Sequence, residues 1–264
     1  MATRSERVGR LRDHWTTVDG RPVYAHASTD ALEPRRLPIV MVHGLLVSSR
    51  YMLPAAERLA ADHPVYALDL PGYGKSARPA DIQGLPELSR VLEKWMEAVG
   101  LGRAILVANS FGCQIATDFA LRHPGRVDRL VLVGPTIDPR HHTAVGATTR
   151  LLLDGTREPP AYLPIIARDV WNIGARRALG MARVCLQDHI EERLPRVTAP
   201  TLVVRGERDP LVPQRWGEEA ARLLPCGQLL VIPGAGHVAH YDAVDRFAPA
   251  VRPFLNAASP PPTL

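Results

Sequence analysis

Polar residues that could do chemistry stand at or just beyond the ends of strongly apolar runs: His43, Asp69, Ser110, Asp138, Asp209 and His237. Ser110 is the candidate nucleophile. It lies in Ala108-Asn109-Ser110-Phe111-Gly112, between the apolar run 104–107 and an amphipathic stretch over 113–123, so a strand turns abruptly into a helix with the serine at the corner. A turn that tight forces its central residue into a sparsely populated backbone conformation and tolerates only small neighbours two positions to either side. Those neighbours are Ala108 and Gly112. A serine hydroxyl is a weak nucleophile at neutral pH and needs a base, and the base needs a carboxylate to hold its tautomer and stabilise its charge. Two residues could supply these parts. Asp209 follows the run ending at Arg205, and His237 closes the glycine-rich loop Pro233-Gly234-Ala235-Gly236.

The elements that must position these groups read as alternating strands and helices. Extended runs around Asp19-Gly20, over 17–25, predict an antiparallel hairpin at a sheet edge. Continuous apolar runs at 39–42, 65–68, 104–107, 129–134, 201–205 and 228–232 have the character of strands buried on both faces. Between them, 54–62, 85–99, 113–123, 216–224 and 241–255 read as helices. In 85–99 the spacing of Leu85, Leu88, Val91, Leu92, Trp95, Met96 and Val99 makes one apolar stripe, and Gly100 follows as its cap. This alternation predicts an α/β fold with a mostly parallel central sheet flanked by helices. In such a sheet ligands bind beyond the carboxyl ends of the strands, where the candidate residues stand. From 136 to 196 the rhythm breaks into helical fragments with a Pro159-Pro160 pair. The expected organisation is a core formed by 1–135 and 197–264, with 136–196 as a helical lid insertion.

Composition narrows the function classes. The chain has 264 residues, enough for a full core, and 46% of them are hydrophobic. The formal net charge is +5, but lysine occurs only at Lys75 and Lys94 and the arginines are scattered. Without a basic block or an aromatic-basic stripe, a nucleic-acid partner is not expected. Cys113, Cys185 and Cys226 lack metal-ligand or CxxC spacing. No run is long enough to span a membrane, and residues 1–12 lack the apolar centre of a secretory signal, so a cytoplasmic location is expected. His141-His142 has no cysteine or carboxylate at ligand spacing and reads as a solvated loop; no metal or cofactor is expected.

Ser, Asp and His in that chain order, each after its own strand, resemble the α/β-hydrolases. The resemblance covers nearly the whole chain and rests on His43-Gly44, on 69–76, on the serine turn, and on the Asp209 and Gly236-His237 segments. It implies that Ser110 is the nucleophile, His237 the general base and acid, and Asp209 the orienting carboxylate. The backbone N–H groups of Leu45 and Phe111 would form the oxyanion hole. Asp138 is the alternative acid, since some members of the fold take theirs from that strand. The usual first glycine of the serine turn is replaced by Ala108. His43 is expected to position the oxyanion loop, Asp69 and Ser76 to bond the backbone of their own loop, Cys113 to be packed, and His240 to lie at the surface or behind the base.

The substrate implied is a small apolar ester or a related carbonyl compound, cleaved through an acyl-enzyme. A carbon-carbon bond hydrolase of the meta-cleavage type is the alternative, since Asn-Ser-Phe-Gly is similar to the serine turn of that group. The chain lacks that group's Gly-Pro-Gly oxyanion loop, and Val238 follows His237 where a tryptophan is usual. A relative that binds a ligand without turning it over is a third reading. Tyr162, Leu163 and Trp171 are candidates to line an apolar pocket under the lid.

Overall fold

The computed structural model describes residues 10–28 and 36–258. Most of the expected frayed tail, 257–264, and most of the charged stretch 1–12 lie outside the described residues. Every residue of the short run β3 (Ile39–Val42) is buried, which a backbone satisfies best inside a sheet covered on both faces. It is joined by β4 (Val65–Leu68), β5 (Ala104–Asn109), β6 (Val127–Val133), β7 (Thr201–Gly206) and β8 (Gly227–Ile232), all parallel. The hairpin β1 (Leu11–Val18) and β2 (Arg21–Ser28) turns at Asp19-Gly20 and adds to β4 antiparallel, giving the eight-stranded order β1-β2-β4-β3-β5-β6-β7-β8.

Alternate residues of the central strands feed two cores. Val40, Val42, Leu106, Leu130, Leu132 and Val203 pack with α2 (Leu85–Ala98), α3 (Phe111–Arg122) and α8 (Gln214–Leu223) through Leu88, Trp95, Phe119 and Trp216. Ile39, Met41, Val107, Val131 and Val204 face α1 (Leu53–Leu59) and α10 (Val244–Leu255) through Ala56, Leu59, Phe247 and Val251. Full burial of each such aliphatic side chain contributes about 1.5–3 kcal/mol, which holds the strand ends in fixed relative positions. Between β6 and β7 the chain forms α4 (Ala144–Gly155), α5 (Leu163–Ile173), α6 (Ala175–Gln187) and α7 (Ile190–Arg193), with no strand among the described residues.

Two boundaries differ from expectation. Helix α3 begins at Phe111, directly after Ser110, rather than at Cys113. The last helix, expected as one element over 241–255, is broken at Ala243, whose φ of −128° and ψ of 32° leave the helical region. The short α9 (Ala239–Asp242) before the break turns Asp242 back to accept the Gly236 amide at 2.7 Å, so this turn is fastened to the histidine loop.

Candidate active site

The chain order around β3, β4 and β5 creates the site. After β3 the chain moves outward to β4, then returns to place β5 on the other side of β3, so the loops after β3 and β5 diverge. Crevices open at such a switch point. Ser110 stands there with φ 55° and ψ −122°, a conformation that costs an L-residue roughly 1–3 kcal/mol. It is over-determined by its surroundings: the Ser110 amide donates to the Val133 carbonyl at 2.9 Å, and the Cys113 amide donates to the Ser110 carbonyl at 2.9 Å. A methyl on Gly112 would lie 2.4 Å from the Val42 carbonyl oxygen and 2.7 Å from that of His43, so the helix approaches β3 only without a side chain there. Ala108, by contrast, fits in register between Val42 and Leu132.

Asp209 and His237 come together from the loops after β7 and β8. Asp209 Oδ1 accepts from the amides of Leu211 (2.8 Å) and Val212 (3.0 Å), which aims Oδ2 at His237 Nδ1, 2.8 Å away. With Nδ1 donating to a carboxylate, Nε2 carries the lone pair; it is buried and has no hydrogen-bond partner among the described residues. Gly134, after β6, forms the floor beneath this pair. A methyl there would lie 2.7 Å from His237 Cε1 and 2.8 Å from Nδ1. Ser110 Oγ is 3.5 Å from Thr136 Oγ1, on the same loop.

A buried network ties the ends of β3, β5, β6 and β8 to one another. The Gly44 amide donates to Tyr51 Oη (2.8 Å), and Tyr51 Oη donates to Asn109 Oδ1 (2.7 Å). Asn109 Nδ2 in turn donates to the carbonyls of Val133 (3.0 Å) and His237 (3.4 Å). His43 is structural: its Nε2 accepts from the Leu70 amide at 3.0 Å, so Nδ1 bears the proton and donates to the Gly44 carbonyl at 2.8 Å. Burial pushes its pKa down to about 4, which keeps the ring neutral. Asp69 accepts from the amides of Ser49 and Lys75, and Ser76 Oγ donates to the Asp69 carbonyl, so 69–76 is a self-bonded loop. Leu45 follows Gly44 in the loop fastened by Tyr51. Phe111 opens α3, whose first-turn amides have no partner inside the helix.

Sequence reading missed a group of carboxylates beside His237. Asp154, near the end of α4, and Glu158 beyond it are both buried, and among the described residues Asp154 Oδ1 and both oxygens of Glu158 have no hydrogen-bond partner. Glu158 Oε1 and Asp242 Oδ2 each lie 3.3 Å from the position a methyl on Gly236 would take, next to His237 in the chain. Burial, with the charge of Asp209, raises the pKa of Asp154 to about 6, and burial, with the charge of Asp154, raises that of Glu158 to about 8. Burial alone would lower the pKa of His237. The charge and hydrogen bond of Asp209 outweigh that, the charges of Asp154 and Glu158 add to them, and the pKa is raised to about 9. No local pattern in the sequence signals the cluster, because it is assembled from the helical segment and the last two loops.

The structure separates the remaining candidates. Asp138 is fully buried but held by Arg215 and the Arg140 amide, away from His237. His240 is not at the surface: it is completely buried edge-on against Tyr51, ring centroids 4.8 Å apart, and burial with the neighbouring His237 charge lowers its pKa to about 3. Trp171 is 87% exposed and Leu163 50% exposed, so neither lines an enclosed pocket in this arrangement; the apolar faces of α5 that are buried belong to other residues. Tyr162 is buried, stacked on Tyr51 at 5.8 Å between centroids. Cys113 is packed, with Sγ donating to the Ala108 carbonyl at 3.3 Å.

An eight-stranded, mostly parallel sheet with a strained serine at its switch point and an Asp-His pair on adjoining loops defines a hydrolase of the α/β class. Residues 39–250 match the model of the Alpha/beta hydrolase family, and the chain belongs to that family. The 2-hydroxy-6-oxononadienedioate/2-hydroxy-6-oxononatrienedioate hydrolase of Burkholderia vietnamiensis (strain G4 / LMG 22486) is 30% identical over 225 residues, 74% of this chain and 77% of that protein. Abhydrolase domain-containing protein abhd-5.2 of Caenorhabditis elegans is 37% identical over 105 residues, but that stretch is 38% of this chain and only 23% of the relative. Among solved structures, a membrane phospholipase A superposes with a TM-score of 0.79 at 23% identity, over 94% of this chain and 88% of the other. The protein is a hydrolase of this family. No helix among the described residues is long and apolar enough to cross a membrane.

Proposed function

We propose that the protein is a serine hydrolase that cleaves apolar carboxylic esters through an acyl-enzyme. The observation that carries this reading is the 2.8 Å bond between Asp209 and His237 Nδ1, which leaves Nε2 as the basic atom, together with the strained backbone of Ser110. In this reading Ser110 Oγ attacks the ester carbonyl while His237 Nε2 takes its proton. The backbone N–H groups of Phe111 and Leu45 stabilise the oxyanion, and His237 returns the proton to the leaving alcohol. Water, deprotonated by the same histidine, then releases the acid and regenerates the hydroxyl. Asp209 holds the ring and stabilises its positive charge. The segment 136–196 acts as a lid, with Tyr162 over the oxyanion loop and Asp154 and Glu158 over the base.

A second reading is carbon-carbon bond hydrolysis, favoured by the similarity to the Burkholderia vietnamiensis hydrolase. The lack of a Gly-Pro-Gly oxyanion loop and the presence of Val238 after His237, where that group usually has tryptophan, argue for the ester. An organophosphonate reaction read by mass spectrometry tests the enzyme reading: one adduct on Ser110 is expected, and a folded protein that takes none refutes it in favour of a binding relative. A panel of nitrophenyl esters of increasing acyl length, run beside a ring-fission diketo acid, then decides between the two reactions. Ser110→Ala or His237→Ala should remove activity on the preferred substrate by a factor on the order of 10⁴ to 10⁶.

A further inference from the structure

We infer that His142, His189 and Glu191 form a binding site for a divalent transition metal, zinc by preference, that staples together the two ends of the helical segment between β6 and β7. His142 precedes α4 at the start of that segment, and His189 and Glu191 flank the start of α7 at its end. One ligand atom from each of the three residues can be chosen so that all lie within 4.8 Å of one another. The imidazole rings of His142 and His189 are 4.3 Å apart between centroids, and His189 Nδ1 is 3.0 Å from Glu191 Oε1.

The unsatisfied atoms point to a ligand. Both ring nitrogens of His142 and Oε2 of Glu191 are shielded from solvent and have no hydrogen-bond partner among the described residues. Such groups are uncommon in a folded protein, and an absent ion is one of the ordinary explanations. Two imidazoles and a carboxylate are borderline donors suited to zinc, with water completing four-coordination. Tetrahedral zinc with bonds of about 2.0–2.1 Å sets its donors roughly 3.3 Å apart. The His189 and Glu191 atoms are already close to that spacing. The His189 side chain is 52% exposed, so it is free to swing the remaining distance toward His142. This site lies outside the Ser110, Asp209 and His237 constellation, and the inference does not depend on which bond that constellation cleaves.

The test is calorimetric titration of the tag-free, chelator-treated full chain with zinc chloride, in parallel with His142→Ala, Glu191→Gln and Cys226→Ser. The last variant removes an exposed thiol that could bind zinc independently. One equivalent with micromolar or tighter affinity is expected. Affinity should fall by at least about 100-fold in His142→Ala and clearly in Glu191→Gln, since even residues that only orient a ligand cost 10–100-fold when removed. Cys226→Ser should bind as the wild type does. Zinc should also slow proteolytic cleavage within 139–193 in the wild type and leave cleavage of His142→Ala unchanged. Absence of binding at millimolar zinc, or binding undiminished in His142→Ala, would overturn the inference.

Discussion

Replacing Gly134 by alanine perturbs the site through a single methyl group. That methyl would stand 2.7 Å from His237 Cε1 and 2.8 Å from Nδ1, where ordinary contact requires about 3.5 Å, so the ring must move by about 0.8 Å. The backbone offers little relief, because Gly134 has φ 58° and its amide donates to the Val204 carbonyl at 2.7 Å. A displacement near 1 Å in a catalytic group costs on the order of 100-fold in rate. The left-handed backbone adds roughly 1–2 kcal/mol of destabilisation for an alanine. The expected result is a folded protein with Tm lowered by about 2–8 °C and kcat/KM on its best nitrophenyl ester lowered about 100-fold. Gly102→Ala is the control, since a methyl there meets nothing within 4 Å, and it should match the wild type in both assays. If Gly134→Ala keeps wild-type kcat/KM while remaining folded, either the ring does not rest on this glycine or its position does not limit the reaction, and the geometric argument fails.

Asp209→Asn should lower kcat by about 10⁴ by presenting the wrong histidine tautomer, whereas Asp138→Asn should leave kcat nearly unchanged and lower Tm by loosening Arg215; a larger kcat loss in Asp138→Asn would reverse the assignment. As the proposed base, His237 must be neutral, so kcat/KM should climb with pH toward a plateau near its pKa of about 9. Glu158→Gln removes one of the charges that raise that pKa, so the rising limb should move to lower pH; a shift to higher pH would contradict the proximity of the two groups. For stability the sign is the same at all three groups: folded His237, Glu158 and Asp154 hold protons more tightly than in the unfolded chain. Below the ordinary histidine range this is opposed by His26, His43 and His240, whose lowered pKa values make them release protons on folding; from about pH 6.5 to about 9, where those rings are neutral in both states, stability should fall, measured by urea midpoints across that interval.

The strands, the hairpin and the serine corner were legible in the sequence because each depends on a few neighbouring residues. A four-residue apolar run such as 39–42 has no soluble fate except a sheet interior, Asp19-Gly20 permits the positive φ of a tight turn, and Ala108 and Gly112 leave room for a sharp corner at Ser110. The positions of Ser110, Asp209 and His237 just beyond apolar runs followed from the same reading, since strand ends in a parallel sheet share one edge. What local pattern could not carry were contacts between residues far apart in the chain. Chain order favoured Asp209 over Asp138 as the acid, but only the approach of His237 to Asp209 and of Arg215 to Asp138 separates them physically. Gly134 looks like any strand-ending glycine until the histidine loop is laid over it. Nothing in the sequence singled out Asp154 or Glu158, and His141-His142 read as a solvated loop, because their neighbours come from segments distant in the chain. Alternation of apolar and polar residues determines which strands and helices form; the tertiary packing of those elements alone decides which charges are brought out of water together, and it is those desolvated groups that set the chemistry of the site.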